Sequence, residues 1–388
     1  MIGVRLLVYT DYVYVRDANG AVWADRAFAR FLDGIANEID VVITGRLSPD
    51  PGRSRYAMSA ASDFIPIPYY ESLARPSRVL PQATRSLRIF WRALDEVDAV
   101  WVLGPTPLTV ALAFLAIARR RRLFLGVRQD LRQYARARHP GRRPIHVAAD
   151  LLEATNRALA RRYPIVVVGN ELSRRYRSAP HRLELTVSLV SAKDIVDPGQ
   201  ALARPYEGEI RVLSVGRLET EKNPLLLADV LRRLRAEDPR YRLVVCGEGP
   251  LEPALRARLA ELDLAEHAEL LGYVPFEDRL LDVYRASHVF LHVSWTEGLP
   301  QVLFEAYASG LPVVATDTGG VAAAAEGSAL VVPPGDAAAA ADAVARLAND
   351  AALRKRLVTA GLERAKAHTY EFEQSRLVRF LSSSDGRT

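Results

Sequence analysis

Along the chain, short runs of apolar and β-branched residues alternate with stretches whose apolar positions recur at helical spacing, the rhythm produced by βαβ units with parallel strands. In the first half this pattern predicts strands at 4–10, 39–44, 64–68, 99–103, 123–127 and 165–168, with helices near 21–36, 77–94, 107–120, 146–161 and 170–177. In the second half strands are expected at 210–215, 242–246, 269–271, 289–293, 313–316 and 329–332. Helices follow at about 224–238, 251–262, 277–285, 300–309, 337–348, 350–367 and 371–382. Both halves read as doubly wound α/β domains. Residues 191–208 carry two prolines and two glycines without a sustained period and read as an interdomain linker. The expected organisation is a first domain over 1–195, a linker over 196–208, a second domain over 209–368, and 369–388 as a final helix with a disordered tail, SSSDGRT.

Length and composition narrow the class without changing this picture. A chain of 388 residues, 49% hydrophobic and 25% charged, has room for two cores and is neither broadly disordered nor a multi-span membrane protein. Its most apolar stretch, 108–118, ends in four arginines and is preceded by Pro105 and Pro107. It falls short of the about 20 apolar residues that span a bilayer, so it reads as a buried crossover helix with cations at its C-terminus. The lone cysteine, Cys246, excludes an internal disulfide, and the first ten residues lack the features of a signal peptide, so a cytoplasmic protein is expected. Charge is uneven: residues 1–200 hold 30 basic against 19 acidic side chains, and 201–388 hold 22 against 27. The basic half suits an anionic partner or a solvated arginine surface. Lysine is scarce, with only Lys193, Lys222, Lys355 and Lys366 in the chain.

In open parallel sheets ligands bind outside the C-terminal strand ends, which directs attention to three loops of the second half. The first runs from Gly216 through Arg217 and Lys222 to Asn223-Pro224, an expected N-cap and N1 pair. There the two cations would flank a pocket able to hold a diphosphate. The second is Gly247-Glu248-Gly249-Pro250, which lacks the final glycine of the dinucleotide fingerprint and reads as a tight turn that admits close backbone approach. The third runs from Ser294 to Glu305, with Pro300 expected at N1, Glu297 in the loop and Glu305 on a largely apolar helix. A carboxylate buried there needs donors, either ligand hydroxyls or a protein arginine.

Taken in order, G-R-L-x-x-x-K, G-x-G-P, L-x-G-Y-V, E-G-x-P-x-x-x-x-E and G-L-P-V-V-A-T-x-x-G-G resemble the retaining glycosyltransferases of family 4 over residues 209–368. The first domain resembles them mainly in its strand and helix rhythm. The resemblance implies the GT-B fold, two Rossmann-like domains facing across a cleft, with the final helix crossing back to the first domain. It implies that Arg217 and Lys222 bind the donor diphosphate and stabilise it as it leaves, and that Glu297 binds donor-sugar hydroxyls. It further implies that Glu305 holds the ribose hydroxyls, that Gly298 and Leu299 offer backbone N–H groups, and that Tyr273 lies at the nucleobase. With Gly216 and Gly247 these form the expected donor site, and Arg217, Lys222 and Glu297 its catalytic part. No cofactor and no metal is expected, since preorganised cations can stabilise the leaving group and the seven histidines are scattered.

The chain departs from the family's pattern on the acceptor side. Where many relatives have a histidine it reads Gly126-Val127-Arg128-Gln129-Asp130, which makes Arg128 and Asp130 candidates for sugar or acceptor contact beside an equal surface-loop reading. Residues 11–20 hold one glycine, Gly20, expected to open a helix and a further candidate on the acceptor side, where relatives have a pair. Gly319 and Gly320 are followed by alanines where relatives often place a glutamate. The expected function is metal-independent, same-face transfer of a sugar from a UDP- or GDP-linked donor to a small-molecule, saccharide or lipid-phosphate acceptor. Peripheral contact with the inner face of the membrane is compatible with the basic first half. A catalytically silent donor-binding subunit is the alternative. Nucleotide redox chemistry lacks its glycine fingerprint, and nucleic-acid binding lacks a motif or interleaved aromatics.

Overall fold

A computed structural model of the chain describes residues 4–50, 56–59, 62–70, 76–139 and 141–383; the expected disordered tail lies outside them from 384 on. The chain divides into two compact units, Met1–Val187 with Glu373–Thr388, and Ser188–Phe372.

Among the described residues the first unit is built on nine strands: β1 (Arg5–Arg16), β2 (Val22–Ala24), β3 (Asp40–Leu47), β4 (Tyr56–Ala57), β5 (Asp63–Pro68), β6 (Ala99–Gly104), β7 (Arg122–Val127), β8 (Ile165–Val168) and β9 (Arg182–Leu185). Seven of them pair in parallel in the order β5-β3-β1-β6-β7-β8-β9. Residues 11–16, read as a loop, extend β1 and pair antiparallel with β2, which in turn pairs with β4. The helix expected over 21–36 is thus cut back to Phe28–Gly34. Gly20 does not open it: with φ at +86° it sits in the turn joining β1 to β2, donating its N–H to the Asp17 carbonyl at 3.0 Å. The apolar helix Pro107–Ala118 is fixed at its start by a reciprocal cap between Thr106 and Thr109. Among the described residues no helix is long and apolar enough to cross a membrane.

The second unit has six strands, β10 (Ile210–Val215), β11 (Tyr241–Cys246), β12 (Ala268–Gly272), β13 (Val289–His292), β14 (Val313–Thr316) and β15 (Ala329–Val332), all parallel in the order β12-β11-β10-β13-β14-β15. Alternate side chains serve opposite faces, as strand geometry requires. Val212 and Leu291 face the layer of helices Leu226–Glu237 and Ala337–Asn349, while Leu213 and Phe290 face the helix Gln301–Ala308. Burial on both sides explains why the central strands β13 and β14 are short, largely apolar runs.

Residues 191–208 are less free than their composition suggested. Residues 192–194 form a turn of helix, Pro198–Leu202 forms another capped by Asp197, and Val196 donates its N–H to the Ala308 carbonyl at 2.9 Å. A β-carbon on Gly310 would come within 2.4 Å of that of Ala201, so the segment is seated on the second unit. The last helix, Tyr370–Ser382, begins in the second unit and belongs to the first from Glu373 onward. There Gln374 donates to the Phe31 carbonyl, Arg376 to that of Glu184, and Phe380 meets the edge of Phe124.

Candidate active site

The strand order of the second unit reverses between β10 and β13, and this switch point leaves a crevice between the loops that follow the two strands. Backbone hydrogen bonds lock the rim together. Gly216 N–H donates to the Cys246 carbonyl at 2.9 Å, Gly247 N–H to that of Gly272 at 2.7 Å, and Trp295 N–H to that of Glu221 at 2.8 Å. The close approach suggested by the glycines is between neighbouring loops. A β-carbon on Gly247, whose φ is +143°, would stand 1.8 Å from the Gly216 carbonyl oxygen. One on Gly319, at φ +51°, would stand 1.9 Å from that of Glu297. Gly247→Ala is expected to lower unfolding free energy by about 2 to 6 kcal/mol, combining backbone strain with overpacking. Urea titration checks this, and a wild-type midpoint would contradict the packing described.

Four side chains meet across the switch point. Glu297 Oε1 accepts from Lys222 Nζ at 2.5 Å, from His292 Nε2 at 2.8 Å and from Ser294 Oγ at 2.8 Å. Lys222 comes from the loop after β10, His292 ends β13, and Ser294 and Glu297 follow it. The Glu297 side chain is 9% exposed and that of Lys222 23%. Burial alone would raise the Glu297 carboxyl. The Lys222 charge and the bond from His292 outweigh it and hold the group well below the usual carboxylate range. His292 Nδ1 is buried and has no partner among the described residues, so Nε2 is assigned the ring proton. Glu297 Oε2 accepts no bond from the described residues.

Glu305 lies on the helix Gln301–Ala308, which starts one residue later than expected, with Pro300 at the N-cap. Its carboxyl is buried and receives the Tyr284 hydroxyl at 2.8 Å, so a tyrosine is the protein donor rather than an arginine. Burial pushes it up to about 7, against the smaller opposing effect of the Tyr284 bond. The folded value lies above the ordinary 4.5, so the native state keeps a proton that the unfolded chain releases. Stability from this group therefore falls as pH rises from about 4.5 through 7. Glu305→Gln should match the wild type at pH 4.5 and be more stable at pH 8 by up to about 3 kcal/mol. Denaturant titrations at both values test this; equal differences at the two would remove the titration from Glu305.

The remaining expected residues fall in several places. Arg217, its side chain 45% exposed, ion-pairs with Glu219 and reaches Glu221 at 3.4 Å, so it does not converge with Lys222 here. Asn223 does not cap a helix: it is left-handed, with φ at +50°, and closes the turn Thr220–Lys222, while the next helix starts at Leu226. Asparagine tolerates that conformation, and the turn it makes presents Lys222 to Glu297. The Tyr273 N–H donates to Glu248 Oε1 at 3.2 Å. Gly298 and Leu299 N–H groups donate to no acceptor among the described residues, at the start of the helix bearing Glu305.

In the first unit Asp130 is engaged structurally. It caps the helix Leu131–Arg138 and ion-pairs with Arg175 at 2.5 Å. Arg128 stacks over the Phe28 ring, 3.8 Å from its centroid. Among the described residues no three His, Cys, Asp or Glu side chains gather as a metal site.

Residues 202–364 match the family of glycosyl transferases group 1. The chain is 36% identical over 112 residues to the phosphatidylinositol N-acetylglucosaminyltransferase gpi3 subunit of Schizosaccharomyces pombe, covering 29% of this chain and 24% of that protein. It is 35% identical to a D-inositol 3-phosphate glycosyltransferase of Nocardia farcinica, over 49% of this chain and 46% of the other. The chain thus spans between a quarter and half the length of these curated relatives. Anabaena HepE in complex with UDP superposes with a TM-score of 0.70 at 15% identity, covering 97% of this chain and 99% of that one. WaaG, a glycosyltransferase involved in lipopolysaccharide biosynthesis, gives 0.69 at 15%, covering 98% and 100%. Residues 202–364 thus match the glycosyl transferases group 1 family, and the chain shares the fold of HepE and WaaG.

Proposed function

We propose that this chain is a glycosyltransferase that moves a sugar from a nucleotide-diphosphate donor, UDP- or GDP-linked, to an acceptor hydroxyl with retention at the anomeric carbon. The observation that carries the reading is the Lys222–Glu297 pair at the switch point, 2.5 Å from Nζ to Oε1. Three donors hold Oε1, which orients Oε2 to accept a sugar hydroxyl. The Lys222 ammonium has three protons and spends one on Glu297, so it can also contact a diphosphate oxygen. Negative charge grows on that oxygen as the bond to the anomeric carbon breaks, and a cation already in place stabilises it there. Arg217 joins by exchanging its exposed pairs with Glu219 and Glu221 for the diphosphate, an exchange that loses little because exposed pairs are weak. The free N–H groups of Gly298 and Leu299 at a helix start suit phosphate or sugar oxygens.

In same-face transfer the acceptor oxygen bonds to the anomeric carbon as the diphosphate leaves, and the acceptor proton passes to a phosphate oxygen. Glu305 would accept ribose hydroxyls, which favour its charged form, so nucleotide binding should release a proton near pH 6. The HepE structure with UDP makes UDP the first probe. Melting the chain with UDP, GDP, ADP and their sugars tests the reading: one nucleoside diphosphate should raise the midpoint, by about 2.7 kcal/mol of stabilisation at a hundred times its Kd. Product formation from that sugar donor, in EDTA, should follow. No response to any nucleotide would contradict the reading.

A further inference from the structure

Arg128, in the first unit, pairs with no carboxylate among the described residues. Arg128 is the first residue after β7, and Tyr12 lies in β1 just beyond the part that pairs with β6, so both stand at the C-terminal rim of the sheet, one on either side of β6. The guanidinium lies over Phe28 and 5.6 Å from the centroid of the Tyr12 ring. Arg128 Nε and the Tyr12 hydroxyl are both sealed from solvent and make no hydrogen bond among the described residues. Burial pushes the guanidinium down to about 9, still charged at neutral pH, and no carboxylate opposes that push. Acids close by in sequence are engaged elsewhere. Asp11 takes the Tyr70 hydroxyl and pairs with Arg46, Asp25 takes the Val13 N–H, and Asp130 holds a helix start and Arg175.

A guanidinium Nε and a phenol hydroxyl, each sealed from solvent without a partner among the described residues on side chains that are otherwise half-buried, are costly unless a ligand completes them. Both are donors, and a planar guanidinium fork matches a phosphate edge. We propose that Arg128, with the Tyr12 hydroxyl, forms an oxyanion subsite in the first unit, and that the acceptor presents a phosphate group there. The acceptor assignment rests on the transferase reading; the anion site itself does not.

The test is calorimetric titration of the full chain with inorganic phosphate, made in a Lys222→Ala background so that the proposed donor site does not contribute. Phosphate should bind, Arg128→Gln should weaken it about tenfold or more, and Tyr12→Phe should weaken it a few-fold without lowering the melting temperature. If Arg128→Gln melts early, Arg128→Lys, which keeps the charge and the stem over Phe28 but not the fork, should still bind phosphate more weakly. Affinity unchanged by both Arg128 variants, or no phosphate binding by the folded protein, would overturn the site. Two further arms identify the source. Sedimentation with phosphatidylcholine vesicles containing phosphatidate that depends on Arg128 assigns the anion to a lipid headgroup. Arg128-dependent binding of glycerol phosphate without such sedimentation assigns it to a soluble ester. A parallel UDP titration of the wild type separates the readings, since UDP can fail to bind while phosphate still depends on Arg128.

Discussion

Lys222→Ala should lower turnover about 10²- to 10³-fold, the range seen when one preorganised charge-stabilising group is removed from a transition state. Its second effect is on Glu297. The carboxylate keeps His292 and Ser294 as donors but loses the nearest positive charge, while the burial that raises its pKa remains. In the wild type a depressed carboxyl adds stability that is present above the ordinary value near 4.5 and is lost only as pH falls through the depressed one. The variant should therefore unfold at a higher pH on acid titration and be less stable at neutrality by about 1 to 3 kcal/mol. Steady-state transfer and acid unfolding measure the two effects separately. Wild-type turnover in the variant would remove Lys222 from the leaving-group role.

Glu297→Gln should separate sugar from nucleotide. The amide keeps the shape of the side chain but gives up the charge that draws Lys222, His292 and Ser294 to one oxygen. If Oε2 accepts a sugar hydroxyl, kcat/KM should fall about 100-fold, while the affinity for the bare nucleoside diphosphate changes by no more than about threefold, because charge-assisted bonds to sugar are lost and those to phosphate remain. Equal loss of both affinities would place Glu297 at the phosphates. An unchanged kcat/KM would leave it a structural partner of Lys222.

How far the sequence could be read follows from the range of each interaction. β10, β14 and β15 are found where expected, because each is a short run rich in β-branched and aliphatic residues between turn residues. β2 lies within an alanine-containing stretch that reads as helix, although the Asn19-Gly20 dipeptide between Val13–Val15 and Val22–Trp23 is a hairpin signal for its pairing with residues 14–16. The helix Leu131–Arg138 carries little sequence signal because it is mostly polar, and the structure makes Asp130 its cap. At the site, Lys222 and Glu297 stand out through motif and composition. Their neighbours His292 and Ser294 do not, since only the fold-back of the loop after β13 brings 292, 294 and 297 onto one oxygen. Burial of Glu305 could be inferred from its apolar helix, but its donor, Tyr284, lies 21 residues earlier, a tertiary contact without a sequence period. Arg217 shows the reverse case: motif and chemistry pointed it at the diphosphate, and without ligand it turns to the acids of its own loop.

The most direct measurement is a calorimetric titration of UDP and GDP into the wild type and Lys222→Ala. One of the two nucleotides should bind the wild type with a Kd in the micromolar range and bind the variant at least about tenfold more weakly, with both proteins folded at the titration temperature. Binding of equal strength in the two, or none of either nucleotide to the wild type, would mean that the cation and acid joining β10 to β13 do not hold a nucleotide-sugar donor.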